Sequence, residues 1–144
     1  MIYRNLPKKF KPRFSVVSCY LEYRGQIVLL RRRENKSEGN KWGTPAGKID
    51  GAETPLAAII REVREETGQI LAPAMFNYLD KVYVKYPDYH FIYHMFRAKL
   101  DSQPEIKLSP SEHLAYKWFT PQAAISASDL VRDLDRCLKM SYKI

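Results

Sequence analysis

Apolar residues recur with two different periods along the chain, and the period separates predicted strands from predicted helices. Alternating or continuous apolar runs bounded by Gly, Pro and polar residues predict strands at 14–23, 26–33, 75–86, 90–98 and 114–119. Apolar positions three and four residues apart predict helices at 55–67, 121–125 and 128–140, the last of them capped by Ser128. Strand pairs alternating with helices indicate an α/β fold, in which helices cover a mixed β-sheet in a three-layer α/β/α sandwich.

The predicted helix at 55–67 has clear start and stop signals and two distinct faces. Thr54 is suited to cap its first turn, Pro55 suits the first helical position, and Gly68 suits the left-handed residue that follows a helix. An apolar stripe that would pack on a sheet is formed by Leu56, Ile59, Ile60 and Val63. The neighbouring arc of the helix is acidic and holds Glu62, Glu65 and Glu66.

These three acids are expected to converge on a cation. Like charges at such spacings repel by roughly a few tenths of a kcal/mol per pair, and Arg61 and Arg64 are expected toward the far side of the helix axis. Carboxylate oxygens beside an apolar seam suit Mg²⁺ or Mn²⁺, which in turn bind phosphate oxygens. The alternative is a solvated helix that simply carries three acids.

The stretch GKIDGAETPLAAIIREVREETG resembles the signature of the Nudix hydrolases, G-x5-E-x7-R-E-U-x-E-E-x-G-U, in which U is an aliphatic residue. The positions that match at the required spacing are Gly47, Glu53, Arg61, Glu62, Val63, Glu65, Glu66 and Gly68. Two positions depart from the pattern. Gln69 stands where the family has an aliphatic residue, and Ala46 stands where many members carry a second glycine. Neither departure removes a carboxylate.

The resemblance implies the Nudix fold and hydrolysis of a pyrophosphate linkage with Mg²⁺ or Mn²⁺ as the cofactor. It implies that the metal ligands are the backbone carbonyl of Gly47 and the side chains of Glu62, Glu65 and Glu66. It also implies that Glu53 and Arg61 form a supporting ion pair, which orients acids that would otherwise repel one another.

The base that takes the proton of the attacking water is left open between two places. Glu112 lies six residues before Trp118 and resembles the loop acid that precedes a tryptophan-bearing strand in mutator-type (MutT-like) members. We therefore predict Glu112 as a catalytic base and a further metal ligand, the alternative being an ordinary surface acid. Glu62 or Glu65 could serve as the base instead, so the predicted catalytic set is Arg61, Glu62, Glu65 and Glu112.

Composition changes this picture mainly through charge. The chain has 144 residues and a formal net charge of +8 at pH 7, which favours polyanionic partners such as nucleotides or RNA ends. Its length fits a basic N-terminal arm at 1–13 followed by a single Nudix hydrolase domain at 14–144. Cys19 and Cys137 are expected to be buried free thiols, and the histidines are expected to have core or surface roles. Without a membrane-length apolar run or a signal-peptide pattern, a cytoplasmic protein with no membrane partner is expected.

The substrate is left open by the sequence. A Mg²⁺-dependent pyrophosphohydrolase acting on a small nucleotide, first of all a nucleoside triphosphate, is the favoured hypothesis. One alternative is removal of pyrophosphate from RNA 5′ ends, which the basic charge favours. Another is a non-catalytic Nudix-fold nucleotide sensor. The oligomeric state is also open, with a homodimer as one alternative.

Overall fold

The computed structural model describes residues 1–144, and its strands and helices follow the predicted order. The helices are α1 (Pro55–Thr67), α2 (Pro121–Ser126) and α3 (Leu134–Tyr142), with a short 3-10 turn at Pro73–Met75. The strands are β1 (Ile2–Tyr3), β2 (Pro12–Tyr23), β3 (Gln26–Arg32), β4 (Trp42–Gly43), β5 (Ala46–Lys48), β6 (Phe76–Lys85), β7 (His90–Leu100) and β8 (His113–Phe119). None of the helices has the length and apolar character that crossing a membrane requires.

The strands form one mixed sheet in the order β1-β6-β7-β2-β3-β4, with β5 paired to β2 and β8 paired to β3. The long central pair β2–β7 is parallel, and the other pairs between strands are antiparallel. Because successive side chains on a strand point to opposite faces, the alternation along β2 divides the core in two. Val17, Cys19 and Leu21 pack on the side of α1, whereas Tyr20 packs with α2 and α3 on the other side. The predicted α/β sandwich is thereby confirmed.

β2 and β3 form a hairpin that is paired only beside its turn. β2 and β3 pair at Glu22–Ile27 and Tyr23–Gln26, after which the two strands diverge. β5 fills the place beside β2 that the hairpin leaves, with Val17 opposite Gly47 and Ser18 opposite Ala46. This pairing fixes the backbone of Gly47 against the buried half of β2, residues 17–22.

The predicted start of the last helix is wrong. Ser128 caps no helix, and α3 begins at Leu134. The Trp42 N–H donates to the Asp129 carbonyl at 2.7 Å, and the Val131 N–H donates to the Trp42 carbonyl at 2.9 Å. Because these backbone groups pair with β4, the chain after Ser128 cannot also make helical hydrogen bonds. The segment 129–133 is held as a loop across the end of the sheet instead.

The predicted N-terminal arm lies along the outer strands. Ile2 and Tyr3 pair with β6, and the Lys11 N–H donates to Nδ1 of His90 at 3.0 Å. The Phe10 ring packs edge-on against Tyr83, with 5.3 Å between ring centroids. The first residues therefore contribute to the sheet as well as to the charge. The division of the chain at residue 13 stays a prediction.

Candidate active site

Local signals set the bounds of α1, and burial sets its orientation. The Thr54 hydroxyl accepts a hydrogen bond from the Ala57 N–H at 3.1 Å, and Gly68 has a φ of 76° where the helix ends. Ala58, Ile59 and Val63 are completely buried against the sheet. With that face fixed, the next arc of the helix turns toward β5, and it carries the acids.

Glu62 and Glu66 are buried carboxylates, each with 8% of its surface exposed. The Ala46 N–H donates to Oε1 of Glu66 at 3.2 Å. Burial raises the pKa of Glu62, and burial together with the nearby charge of Glu62 raises the pKa of Glu66 well above the ordinary value. Glu65, one turn from Glu62, keeps half of its side chain exposed. The fold therefore leaves the charged forms of these two buried acids incompletely stabilised.

Arg61 lies among the acids, so its expected place on the far side of the helix is wrong. Its Nε and Nη2 atoms each donate to a different oxygen of Glu53 at 2.9 Å. Its Nη1 lies 2.7 Å from Oε1 of Glu62 and 3.4 Å from Oε2 of Glu65. The helical angle of a Cα atom does not fix the end of a long side chain, which here reaches around the helix.

Glu53 anchors this guanidinium from the loop before the helix. Its carboxylate accepts from Arg61 and from the Asp50 N–H, and these hydrogen bonds lower its pKa to about 2. Arg61 also donates to the Lys48 carbonyl at 3.1 Å, which joins the helix to β5. The ion pair implied by the signature is thus present in the geometry, and it orients Glu62.

Gly47 leaves the space that the Glu62 carboxylate occupies. A Cβ atom built at Gly47 would overlap the carboxylate carbon and both carboxylate oxygens of Glu62. The φ of Gly47 is not in the left-handed region, so backbone freedom is not what the position requires. It requires the absence of a side chain, because β5 and the helix approach each other closely at this point.

The predicted metal ligands surround one open cavity of about 510 Å³, called here the acid cavity. Its wall combines the expected residues with a few others: Gly47, Glu62, Glu65, Glu66, Glu112, Arg32, Ala46, Ser109 and His113. No three acidic, cysteine or histidine side chains are close enough together to form a ready-made metal cage. The donor set fits a hard divalent cation by chemistry, since four carboxylates and a backbone carbonyl border the same space. Binding would have to draw these oxygens together.

Glu112 reaches the acid cavity from the loop before β8. Its N–H donates to the Ser109 carbonyl at 3.0 Å, and its carbonyl accepts from the Arg33 N–H at 3.1 Å. Its carboxylate lies 3.5 Å from Nζ of Lys36, and about half of the side chain is exposed. The loop is therefore tied to the end of β3, and it presents Glu112 opposite the acids of α1.

Arg32 and His113 also line the acid cavity, although only a core or surface role was expected for His113. They face each other as a pair between β3 and β8. The Arg32 Nε donates to the Ser37 carbonyl at 2.8 Å. His113 is 5% exposed, and burial, with the nearby positive charge of Arg32, lowers its pKa to about 4. The signal that could have identified His113 is its position next to Glu112.

A second cavity of about 190 Å³, called here the aromatic cavity, adjoins the first. Its wall includes Tyr86, Tyr89, Phe91 and Tyr93, and it shares Arg32, Ala46 and His113 with the acid cavity. These four aromatic residues lie between the end of β6 and the first half of β7. The structure gives several of them both a core contact and a place in the cavity wall.

The far end of the aromatic cavity is polar. The Tyr86 hydroxyl donates to Oδ2 of Asp133 at 3.0 Å, and the Arg132 guanidinium lies 4.0 Å from the centre of the Tyr86 ring. Burial and the Asp133 carboxylate both raise the pKa of Tyr86, so its hydroxyl stays protonated. The Arg132 N–H donates to Oε1 of Glu38 at 2.7 Å. The loop at 129–133, predicted as helix, thus carries polar groups to the cavity.

Comparison with known proteins agrees with this geometry. The family model of the NUDIX domain matches residues 11–139, which is most of the chain. The chain belongs to the Nudix family, as its signature predicted.

Two curated relatives come from Escherichia coli strain K12. An 8-oxo-dGTP diphosphatase is 37% identical over 65 residues, which are 45% of this chain and 49% of the relative. A CTP pyrophosphohydrolase is 34% identical over 53 residues, which are 37% of this chain and 39% of the relative. The matched stretches thus span about half or less of the relatives' own length.

Among solved structures, a MutT protein from Methanosarcina mazei Go1 superposes with a TM-score of 0.79 at 25% identity. The match covers 92% of this chain and 95% of that protein. A match over this share of the chain extends well beyond the helix and loop of the signature.

Proposed function

We propose that this protein is a metal-dependent hydrolase of the pyrophosphate linkage in a nucleoside diphosphate derivative, with a nucleoside triphosphate as the first candidate. The observation that carries the proposal is the acid cavity, in which four glutamates from two distant segments face one space. Two of these glutamates are buried with raised pKa values, so a divalent cation would compensate charge that the protein alone leaves uncompensated.

Glu62, Glu65, Glu66 and Glu112, with the carbonyl of Gly47, would hold Mg²⁺ or Mn²⁺ in this cavity. When bound, such a cation supplies charge neutralisation of the phosphates and makes water a better nucleophile near neutral pH. Arg61 holds Glu62 and Glu65 in place through its hydrogen bonds, and Glu53 holds Arg61. Arg32 offers a guanidinium to a phosphate oxygen at the boundary with the aromatic cavity.

The reaction is displacement at phosphorus by water. The water oxygen forms a bond to one phosphorus while the bridging P–O bond breaks, and its electron pair goes to the oxygen of the departing phosphate. A glutamate takes the proton that the water loses. Glu112 suits this role because it lines the same cavity as the helix acids. Glu62 and Glu65 are the alternatives on the helix.

The neighbouring aromatic cavity supports a nucleotide as the substrate. Its rings offer an apolar surface on which a base can pack, and Asp133 with the Arg132 segment offers polar groups for the base edge. A nucleotide lying across both cavities would place its base among the aromatic residues and its phosphates among the acids. Both curated relatives carry nucleoside triphosphates in their names, which agrees with the first candidate.

A panel of pyrophosphate compounds tests the proposal. The panel contains the common nucleoside triphosphates, 8-oxo-dGTP, a nucleotide sugar, a dinucleoside polyphosphate and a triphosphorylated RNA, each assayed with and without Mg²⁺ or Mn²⁺. We expect metal-dependent release of a nucleoside monophosphate and pyrophosphate from at least one triphosphate. Absence of turnover of every compound with both metals would contradict the proposal, and retained nucleotide binding would then favour a sensor.

RNA 5′ ends are the second candidate, and the specific observation in their favour is the formal net charge of +8. Binding of a polyanion releases counterions, so its affinity falls steeply as salt rises. Steep salt inhibition of the reaction on triphosphorylated RNA, without comparable inhibition on free nucleotides, would favour this candidate.

A further inference from the structure

His113 lies in the wall that separates the acid cavity from the aromatic cavity. It lines both of them, and it is 95% buried, with 5% of its surface exposed. It is the first residue of β8, and the register with β3 shifts here: Arg31 lies opposite Ala115, but Arg32 lies opposite His113. The extra residue in this bulge, Leu114, is left exposed. Bulges beside active sites commonly re-aim a side chain, and this one turns His113 to the cavities.

The imidazole of His113 has a buried polar atom that the fold does not satisfy. Its Nδ1 is buried and has no hydrogen-bond partner in the protein. Buried polar atoms nearly always have a partner, so such an atom beside a cavity indicates a partner from outside the chain. In its neutral form the imidazole carries one donor and one acceptor, and a half-turn of the ring can present either nitrogen to a ligand.

The position of His113 identifies the part of a nucleotide that it would meet. The acid cavity holds the hydrolysed phosphates in the proposed function, and the aromatic cavity holds the base. Only three residues, Arg32, Ala46 and His113, border both cavities, and Ala46 has no polar side chain. A nucleotide that spans both cavities would place its sugar, with the phosphate attached to that sugar, at this boundary.

We propose that His113 is a substrate-binding residue that hydrogen-bonds the nucleotide where the sugar joins its first phosphate, beside the charge of Arg32. This inference rests on the proposed function, because it places the base and the hydrolysed phosphates on opposite sides of His113. Since the same bond would be made before and during the reaction, its loss should raise KM more than it lowers kcat.

Three substitutions at one position test the proposal. His113→Leu replaces the imidazole with an apolar side chain of similar reach. His113→Asn places an amide nitrogen near the position of Nδ1, and His113→Gln places one near the position of Nε2. We expect His113→Leu to raise KM for the preferred nucleoside triphosphate by about tenfold or more, with a smaller change in kcat. We expect one amide variant to recover KM to within about threefold of the wild type, and its identity shows which nitrogen binds.

A binding measurement separates this inference from the proposed function. Calorimetric titration of AMP, GMP, CMP and UMP gives the affinity of the product without requiring turnover. If the wild type hydrolyses nothing but binds a monophosphate in a manner that depends on residue 113, the inference stands and the proposed function fails. If the wild type hydrolyses a nucleotide while the three variants share its KM and monophosphate affinity, the inference alone fails. Equal KM increases in all three variants would also overturn it, because they would indicate only disturbed packing.

Discussion

Glu66→Gln should weaken the binding of the metal ion while leaving the metal-free protein at least as stable as the metal-free wild type. Glu66 is buried and has no salt-bridge partner, and burial with the charge of Glu62 raises its pKa. Glutamine keeps an oxygen that can accept from the Ala46 N–H, and it removes the buried charge. We therefore expect the metal-free variant to unfold at the same temperature as the metal-free wild type or higher.

The rise in Tm on adding Mg²⁺ gives the size of the expected effect. At a Mg²⁺ concentration of about 100 times Kd, binding to the folded wild type adds about 2.7 kcal/mol to the free energy of unfolding. For a chain of this length that corresponds to a rise in Tm of about 5–10 °C. If loss of one ligand weakens binding about 10-fold to 100-fold, the same Mg²⁺ concentration adds only about 0.4–1.4 kcal/mol. The rise in Tm should then fall to about 1–5 °C.

The pH dependence has a definite sign. A glutamate with a raised pKa in the folded state contributes stability below its ordinary pKa of about 4.3, and this stability is lost as pH rises through the raised value. His113 acts in the opposite direction, because its lowered pKa of about 4 makes the folded state lose stability as pH falls through the ordinary histidine range. The difference in Tm between the metal-free wild type and Glu66→Gln removes the histidine effect. That difference should grow in favour of the variant as pH rises above the ordinary glutamate range.

Thermal unfolding by circular dichroism, with chelator and with Mg²⁺, measures all of these quantities. Glu105→Gln is the matched control, since Glu105 is exposed and its side chain makes no hydrogen bond or salt bridge. An equal metal-induced rise in Tm in Glu66→Gln and the wild type would refute the reasoning. So would a metal-free Glu66→Gln that unfolds well below the wild type.

Two further substitutions test the geometry around the acids. Val63→Asp replaces a completely buried side chain, so about 1.5–3 kcal/mol of apolar burial is lost and a buried acid adds about 2 kcal/mol or more. Urea denaturation should show the loss of at least about 3.5 kcal/mol or no folded protein. Ala57→Asp, on the exposed side of the helix, should unfold nearly as the wild type does. An unchanged midpoint for Val63→Asp would contradict its place in the core. Gly47→Ala should fold, but its methyl group should displace the Glu62 carboxylate, so the hydrolysis rate should fall about tenfold or more. An unimpaired rate with an unchanged Tm would show that the close approach of β5 to the Glu62 carboxylate does not matter.

Local chemistry made α1 predictable. Its cap, its first-turn proline and its terminal glycine are neighbours in sequence, and the bounds 55–67 agree with the structure. The fold class could be predicted from the order of strands and helices, because the signals for each element are also local in sequence. Where the hydrogen bonds are made between distant segments, prediction failed: Ser128 has the chemistry of a helix cap, but the backbone after it pairs with Trp42.

The candidate site was predictable in its residue types and less so in its arrangement. The signature placed Glu62 and Gly47 in one region, and the structure brings them into contact. Helical angles misplaced Arg61, because the guanidinium follows Glu53 rather than the direction of its own Cα. His113 was missed because its place in the cavity wall depends on a bulge between β3 and β8, and its position next to Glu112 was the only local signal.

The central claim is that the acids of α1 gather a divalent cation to hydrolyse a pyrophosphate linkage, and Glu65→Gln tests it most directly. Glu65 is half exposed, so glutamine should leave the fold intact while it removes a charged ligand at constant shape. We predict that the Mg²⁺-dependent rate on the preferred nucleotide falls at least about a hundredfold, with Tm unchanged and with full activity in the Glu105→Gln control. Turnover by Glu65→Gln at the wild-type rate would contradict the claim.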